Sequence, residues 1–232
     1  MTPYLEAFLR FFYPASCGIC SILLEIEERG LCAACLEQVL ATRLPYGESL
    51  DVSAGESVDQ AWALFPYESP VRELVMAVKF NRKPWLLDVF TEELRDLALV
   101  LKAEGHYDLV VPVPLSRKRL LERHFNPSAR LARILGAALN VPVFEDVLVK
   151  KSGVPPQSLL TREERLANLY GAFRTRTKAL QGKSVLLVDD VLTTGATAEE
   201  AARVLKENGA ARVELAVLAR SPEPATAERV RA

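Results

Sequence analysis

The chain has 232 residues, half of them apolar and a quarter charged, with a net charge of −1. This is an ordinary globular composition, long enough for one large domain or for a domain plus a small module, and its overall charge argues neither for nor against nucleic acid. No apolar run reaches the length of a membrane-spanning helix, and Met1-Thr2-Pro3-Tyr4 lacks the basic start of a secretory signal, so the expected compartment is cytoplasmic. The charge is uneven: residues 1–60 hold nine acids and three bases, a net of −6, and the remainder is basic by +5.

In chain order, Leu5 to Tyr13 is apolar but carries Glu6 and Arg10, and reads as a short packing helix. All four cysteines follow within nineteen residues, as Cys17-x-x-Cys20 and Cys32-x-x-Cys35 separated by eleven residues. Two such knuckles can offer four thiolates to one tetrahedral Zn²⁺, with no open position, so the metal would be structural. The alternatives are two disulfides, which a cytosolic chain disfavours, or a redox pair, which needs no second copy. Gly18 and Gly30 stand where the knuckles need tight turns. So small a segment cannot bury a core of its own, and the metal would stand in for one.

Residues 41–60, with Pro45, Gly47, Gly55 and scattered serines, read as a linker. Ala61–Phe65 reads as a strand. Ser69-Pro70 then fits an N-cap followed by Pro at the first helical position, with Val71, Leu74, Val75 and Val78 as the buried stripe, closed by Lys79 and Arg82. Leu87, Phe90, Leu94, Leu97, Ala98 and Leu101 mark a longer amphipathic helix. Asp108–Pro114 is the next strand, ended by its prolines. Leu115-Ser116-Arg117-Lys118-Arg119 leads into a helix, and Asn126-Pro127-Ser128 starts another with Leu131, Ile134, Leu135 and Ala138 inward.

Between residues 113 and 133 stand six bases, Arg117, Lys118, Arg119, Arg123, Arg130 and Arg133, against one acid, Glu122. A charge run is usually a solvated face, but this one follows a strand on the side where α/β sheets bind ligands, so part of it can face pyrophosphate or nucleic-acid phosphates. A second basic stretch, residues 149–178, holds seven bases and two acids. It includes Ser152–Gln157, which has no periodicity and reads as a long mobile connection of the kind used as a lid, or as an ordinary surface excursion. Thr161-Arg162-Glu163-Glu164 then fits a capping box.

The organising stretch is Val185–Thr197. Four apolar residues, Val185-Leu186-Leu187-Val188, read as a strand buried on both faces of a parallel sheet. Asp189 and Asp190 follow at its carboxyl end, where open α/β sheets place ligands. Thr193-Thr194-Gly195-Ala196-Thr197 then leads into an Ala/Glu-rich helix whose first N–H groups suit an anion, unless Thr194 or Thr197 merely caps it. The loop can hold a phosphate, and the aspartates can accept hydrogen bonds from vicinal hydroxyls or hold Mg²⁺. Gly209 marks the helix end, Val213–Ala219 the last strand, and the residues from Ser221 a loose tail. His106 and His124 show no ligand spacing and read as surface residues.

The Asp-Asp-x-x-Thr-Thr-Gly-x-Thr string resembles the phosphoribosyl-pyrophosphate (PRPP) motif of type I phosphoribosyltransferases. Two knuckles, Tyr67-x-x-Pro70-x-Arg72, Lys79-Phe80, Pro112-Val113-Pro114-Leu115-Ser116, Phe125-Asn126 with Leu131-Ala132, and Gln157 with Arg165 and Asn168 extend the likeness. Together they resemble the ComF/ComFC family, tied to DNA uptake and utilisation in bacteria, over nearly the whole chain. The resemblance implies an α/β, type I phosphoribosyltransferase-like fold, a mostly parallel sheet flanked by helices and preceded by a small zinc-binding module. On that reading residues 1–55 are zinc module and linker, 56–222 the phosphoribosyltransferase-like domain, and 223–232 the tail.

The resemblance makes Asp189 and Asp190 the ribose- and Mg²⁺-facing pair, and Thr193, Thr194, Gly195, Ala196 and Thr197 the 5-phosphate loop. Ser116, with Pro114 and Leu115, falls in the pyrophosphate loop, and Lys150, Gln157, Arg162 and Arg165 fall in the hood. Arg117, Lys118, Arg119 and Arg123 are the nucleic-acid candidates; Cys17, Cys20, Cys32 and Cys35 are the Zn²⁺ ligands. Two departures stand out: the family's Arg-Gly-Phe-Asn-Gln is Arg123-His124-Phe125-Asn126-Pro127 here, and the hood offers lysines where arginines are typical, weakening a bidentate phosphate clamp. The expected function is a PRPP- or phosphoribosyl-binding protein of DNA uptake or utilisation that holds single-stranded DNA, with a ComFA-type helicase as the partner that the family suggests. The alternative is an active, amidophosphoribosyltransferase-like enzyme that moves a phosphoribosyl group from PRPP to an acceptor and releases pyrophosphate. No residue stands out as a general base.

Overall fold

The computed structural model describes residues 15–45, 56–81, 83–151, 171–176 and 180–222. Its strands are β1 (Gln60–Pro66), β2 (Leu109–Pro112), β3 (Leu148–Lys150), β4 (Phe173–Thr175), β5 (Ser184–Leu192) and β6 (Arg212–Arg220). Its α-helices are α1 (Ala33–Ala41), α2 (Val71–Phe80), α3 (Thr91–Glu104), α4 (Arg117–Arg123), α5 (Pro127–Leu139) and α6 (Ala196–Glu207). A 3₁₀-helix covers Pro84–Phe90.

β1, β6, β5 and β2 pair in that order as an all-parallel sheet, and β3 and β4 form a separate antiparallel pair. Alternation along each strand divides the core. Leu186 and Val188 of β5 join Val110, Ala216 and Leu218 on one face, packed with Leu74, Val78, Leu97, Leu101, Leu131 and Leu135 of the helices. Val185 and Leu187 join Leu215 and Val217 on the other, packed with Ala198, Ala201, Ala202 and Leu205 of α6 and with Leu148 and Phe173 of the small sheet. A strand covered on both faces has no solvent side, which is why these runs are continuously apolar. The fully buried Ala201 and Ala202 bring α6 close to the sheet.

Four of the boundaries that differ from the sequence expectation bear on the core and the site. The expected long helix from Leu87 is a 3₁₀-helix followed by α3, with Thr91 Oγ1 donating to the Asp88 carbonyl at 2.7 Å at the junction. Leu87, Phe90 and Leu94 are three and four residues apart, a spacing that keeps one face buried in either helix type, so periodicity could not see the break. Phe90 at the join packs on Phe65, ring centroids 5.1 Å apart. β5 runs on through both aspartates to Leu192, because Asp189, Val191 and Leu192 stay in register with Val217, Ala219 and Arg220 of β6. α2 begins at Val71 with Pro70 as its N-cap. α6 is capped by Gly195, at φ 76°, rather than by a threonine. The expected helix over Leu5–Tyr13, the capping box at Thr161 and the tail from residue 223 lie outside the described residues.

The cysteine knuckles dock on the 3₁₀-helix. Gly18 N–H donates to the Gly30 carbonyl at 2.8 Å, and a Cβ at Gly18 would meet the Leu86 methyls at 2.7 and 2.8 Å. Gly30 turns at φ 77° against Leu86 and Val89. The Glu28 carboxylate accepts from Ala33 N–H at 2.7 Å and Glu25 N–H at 2.9 Å, tying the loop to the start of α1. Cys17, Leu31, Cys35 and Val39 are buried in one continuous core with Leu86, Leu87 and Phe90. The module's apolar side is thus completed by the sheet domain, as its size requires.

Candidate functional site

At the carboxyl end of β5 the two aspartates have different partners. Asp189 Oδ1 accepts from Ser128 Oγ on α5 and from Asp190 N–H, each at 2.8 Å. Asp190 Oδ1 accepts from Lys79 Nζ, at the end of α2, at 2.9 Å. Burial, and then the neighbouring Asp190 charge, push the Asp189 carboxyl up to about 7. Ser128 is placed by its own N-cap: Asn126 Oδ1 accepts from Ser128 N–H at 3.2 Å, and Asn126 Nδ2 donates to the Val113 carbonyl at 2.9 Å. One short turn thereby ties α5 to the end of β2 and aims a hydroxyl at β5.

A cleft lined by Asp189, Val191, Thr193, Gly195 and Thr197 joins the carboxylate to the loop before α6. Thr193 and Thr194 are exposed, while Gly195 and Ala196 are buried. No side chain caps α6, so its first N–H groups are not taken up by a capping side chain.

Cations surround the pair. Arg123, at the end of α4, lies over the Phe80 ring at 5.5 Å. Burial draws its guanidinium below the usual range while the Asp190 charge opposes that. Lys150 on β3 lies over the Phe173 ring at 5.2 Å. Burial, then the Arg119 charge, lower its ammonium, and Asp189 opposes them. Ser116 caps α4, accepting from Arg119 N–H at 3.4 Å. Arg117, Lys118 and Arg119 are exposed, on a helix that buries no side chain. Arg130 and Arg133 are committed elsewhere, Arg130 to both oxygens of Asp88 and Arg133 to Glu145 at 2.7 Å. Those two border a separate cavity of about 440 Å³ lined also by Pro114, Leu115, Phe125 and Asn126. Gln157, Arg162 and Arg165 lie outside the described residues.

The four cysteines converge. None forms a disulfide, and their Sγ atoms lie within 4.8 Å of one another. Cys20 Sγ and Cys32 Sγ are 3.7 Å apart, far beyond a disulfide bond. Tetrahedral Zn–S bonds of about 2.3 Å place sulfurs about 3.8 Å apart, so the donor set fits a metal such as zinc. The acidic pair offers magnesium a poorer fit, since Asp190 already carries an ammonium and Asp189 a hydroxyl and an amide donor.

A phosphoribosyl transferase domain model matches residues 126–231. DNA utilization protein YhgH of Escherichia coli (strain K12) is 30% identical over 211 residues, covering 88% of this chain and 91% of that one. Competence protein F of Haemophilus influenzae is 27% identical over 229 residues, covering 90% and 99%. Competence protein ComFC of Bacillus subtilis is 30% identical over 149 residues, covering 64% and 59%. The chain belongs to the ComF/ComFC family. The stretch that matches the phosphoribosyl transferase domain model carries β5, the acidic pair, α6 and β6.

Set against the ComF/ComFC pattern, the departure at His124 has a structural meaning. His124 sits at φ 66°, the left-handed C-cap of α4, where the family's glycine is free of strain. Pro127 occupies the first turn of α5, where its missing N–H costs nothing. Two residues in contact with the acidic pair escaped the sequence reading. Lys79 stood only as a helix-closing charge within Lys79-Phe80, and Ser128 only as part of a cap. The one available signal for Lys79 was its place in the family string.

Proposed function

We propose that this chain is a phosphoribosyl-binding member of the ComF/ComFC family that acts in DNA uptake or utilisation. The observation that carries the reading is the juxtaposition of an acidic pair, an uncapped helix-leading loop and flanking cations at one sheet end. Asp189 and Asp190 would accept the ribose hydroxyls, and Thr193 to Thr197 would hold the 5-phosphate. Arg123 and Lys150, with Arg165 from the hood, would balance further phosphates of PRPP, and Ser116 and Gln157 would donate hydrogen bonds to them. The exposed Arg117, Lys118 and Arg119 would hold single-stranded DNA through its phosphates. The cysteines would hold a structural Zn²⁺, and their module would dock a helicase of the ComFA type.

Calorimetric titration with PRPP, and separately with a short single strand, tests this. Asp189→Asn/Asp190→Asn is expected to weaken PRPP binding by about tenfold or more and to spare DNA. Arg117→Ala/Lys118→Ala/Arg119→Ala is expected to do the reverse and to flatten the salt dependence. Absence of PRPP binding by the wild type sinks the sugar-phosphate reading; absence of DNA binding at low salt sinks the nucleic-acid part.

The transferase reading draws on the matched domain model, whose description names a phosphoribosyl transferase. In it the same residues would position PRPP, and the surrounding bases would stabilise the leaving pyrophosphate. Pyrophosphate release in a screen of acceptor amines and bases decides it.

A further inference from the structure

Lys79 touches the acidic pair directly. Its Nζ lies 2.9 Å from Asp190 Oδ1, and only 16% and 12% of the two side chains are exposed. α2 delivers it there. Val71, Leu74, Val75 and Val78 are buried against the sheet, so the helix is fixed along its length and its last turn ends beside β5. The next residue, Phe80, is exposed and carries Arg123 on its ring. Water is largely excluded from the Lys79–Asp190 contact, so the pair is a built part of the site rather than a loose surface ion pair.

This geometry conflicts with a divalent ion on the same carboxylate. An ion bound at Asp190 would sit beside the Lys79 ammonium and be repelled by it. We propose that Lys79 is the resident cation of the site, taking on Asp190 the place a divalent metal would need, so that a ribose 5-phosphate group binds without one. The inference rests on the phosphoribosyl reading and deepens it. It names the ligand class as a phosphoribosyl end whose recognition does not depend on a metal-chelating pyrophosphate. With Lys79 present the charge of Asp190 is compensated toward an anionic ligand. Without it two adjacent carboxylates would face the phosphate, and Asp190 would become open to a metal.

The test uses the full chain, ribose 5-phosphate and Mn²⁺. Calorimetry with ribose 5-phosphate is run in metal-depleted buffer and again with magnesium chloride. Wild-type affinity is expected to agree within about threefold between the two; Lys79→Met and Lys79→Gln are expected to weaken by about tenfold or more without metal and to recover with it. In parallel, electron paramagnetic resonance with Mn²⁺ alone is expected to show no ion at the pair in wild type. One bound ion is expected in Lys79→Met, lost again in Lys79→Met/Asp190→Asn. A wild type that binds ribose 5-phosphate only with Mg²⁺, or a Lys79→Met variant matching wild type in both measurements, overturns the proposal. Failure of ribose 5-phosphate to bind the wild type under either condition instead removes the phosphoribosyl reading, while the Mn²⁺ measurement, which needs no sugar ligand, still decides the role of Lys79.

Discussion

The four cysteines come from nineteen consecutive residues, whereas Lys79, Ser128, Asp189 and Asp190 reach one point from three elements far apart in the chain. The first cluster can close locally but has too little apolar surface to stand alone, and its Cys17 and Cys35 are buried against Leu86 and Phe90. The second needs the tertiary fold, because Lys79 reaches Asp190 from α2 and Ser128 reaches Asp189 from α5. The lesson is that one core serves both: the sheet domain lends the knuckles their packing and the acidic pair its partners. The knuckles have to be set by spacing, and the cleft by tertiary packing.

The largest test breaks the knuckle side. Cys17→Ser removes a buried thiol from the proposed zinc site, and is expected to cost about 4 kcal/mol, a fall of about 10 °C or more in melting temperature. Zinc analysis should give well under one ion per chain, and the melt should lose cooperativity across the whole core rather than in the module alone. On the cleft side, Asp190→Ala strands the Lys79 ammonium and is expected to cost about 2 kcal/mol in denaturant unfolding. Adding Lys79→Met to it should restore part of that loss, because the two changes share one contact.

A third variant probes the seam between the regions. Glu93 on α3 is buried, its Oε2 has no hydrogen-bond partner among the described residues, and burial raises its carboxyl above the usual range, opposed by Arg43 from just beyond α1. The folded chain therefore holds this proton more tightly than the unfolded one. The stabilising contribution is complete below the unfolded carboxyl range and is lost as pH rises through the folded pKa. Glu93→Gln should match wild type near about pH 4 and exceed it by about 1 kcal/mol near about pH 8, read from melts across pH. The smallest effect belongs to the turn beside the cleft. His124→Gly relieves a left-handed backbone and should gain about 0.5 kcal/mol, with ribose 5-phosphate affinity unchanged.

What could be read in advance divides along the same line. Val185–Val188, Asp189, Asp190 and Thr193–Thr197 are contiguous, so a strand, its polar end and a loop leading into a helix were visible as one string. The break at Phe90–Thr91 was not, because its buried face continues through it. The strand's extension to Leu192 was hidden as well, since pairing with β6 rather than side-chain type decides where β5 ends.

By itself the sequence determined the parallel-sheet class, the cysteine cluster and the acid-and-threonine loop. Each is a short-range pattern of residue types that is rare without a physical cause. Only the tertiary structure decided that Lys79 rests on Asp190, that Ser128 donates to Asp189, and that Arg130 and Arg133 are held by Asp88 and Glu145 while Arg117, Lys118 and Arg119 are left exposed. Lysine, serine and arginine are common in any surface helix, and their meaning here arises from the helix packing that carries them to β5 or away from it.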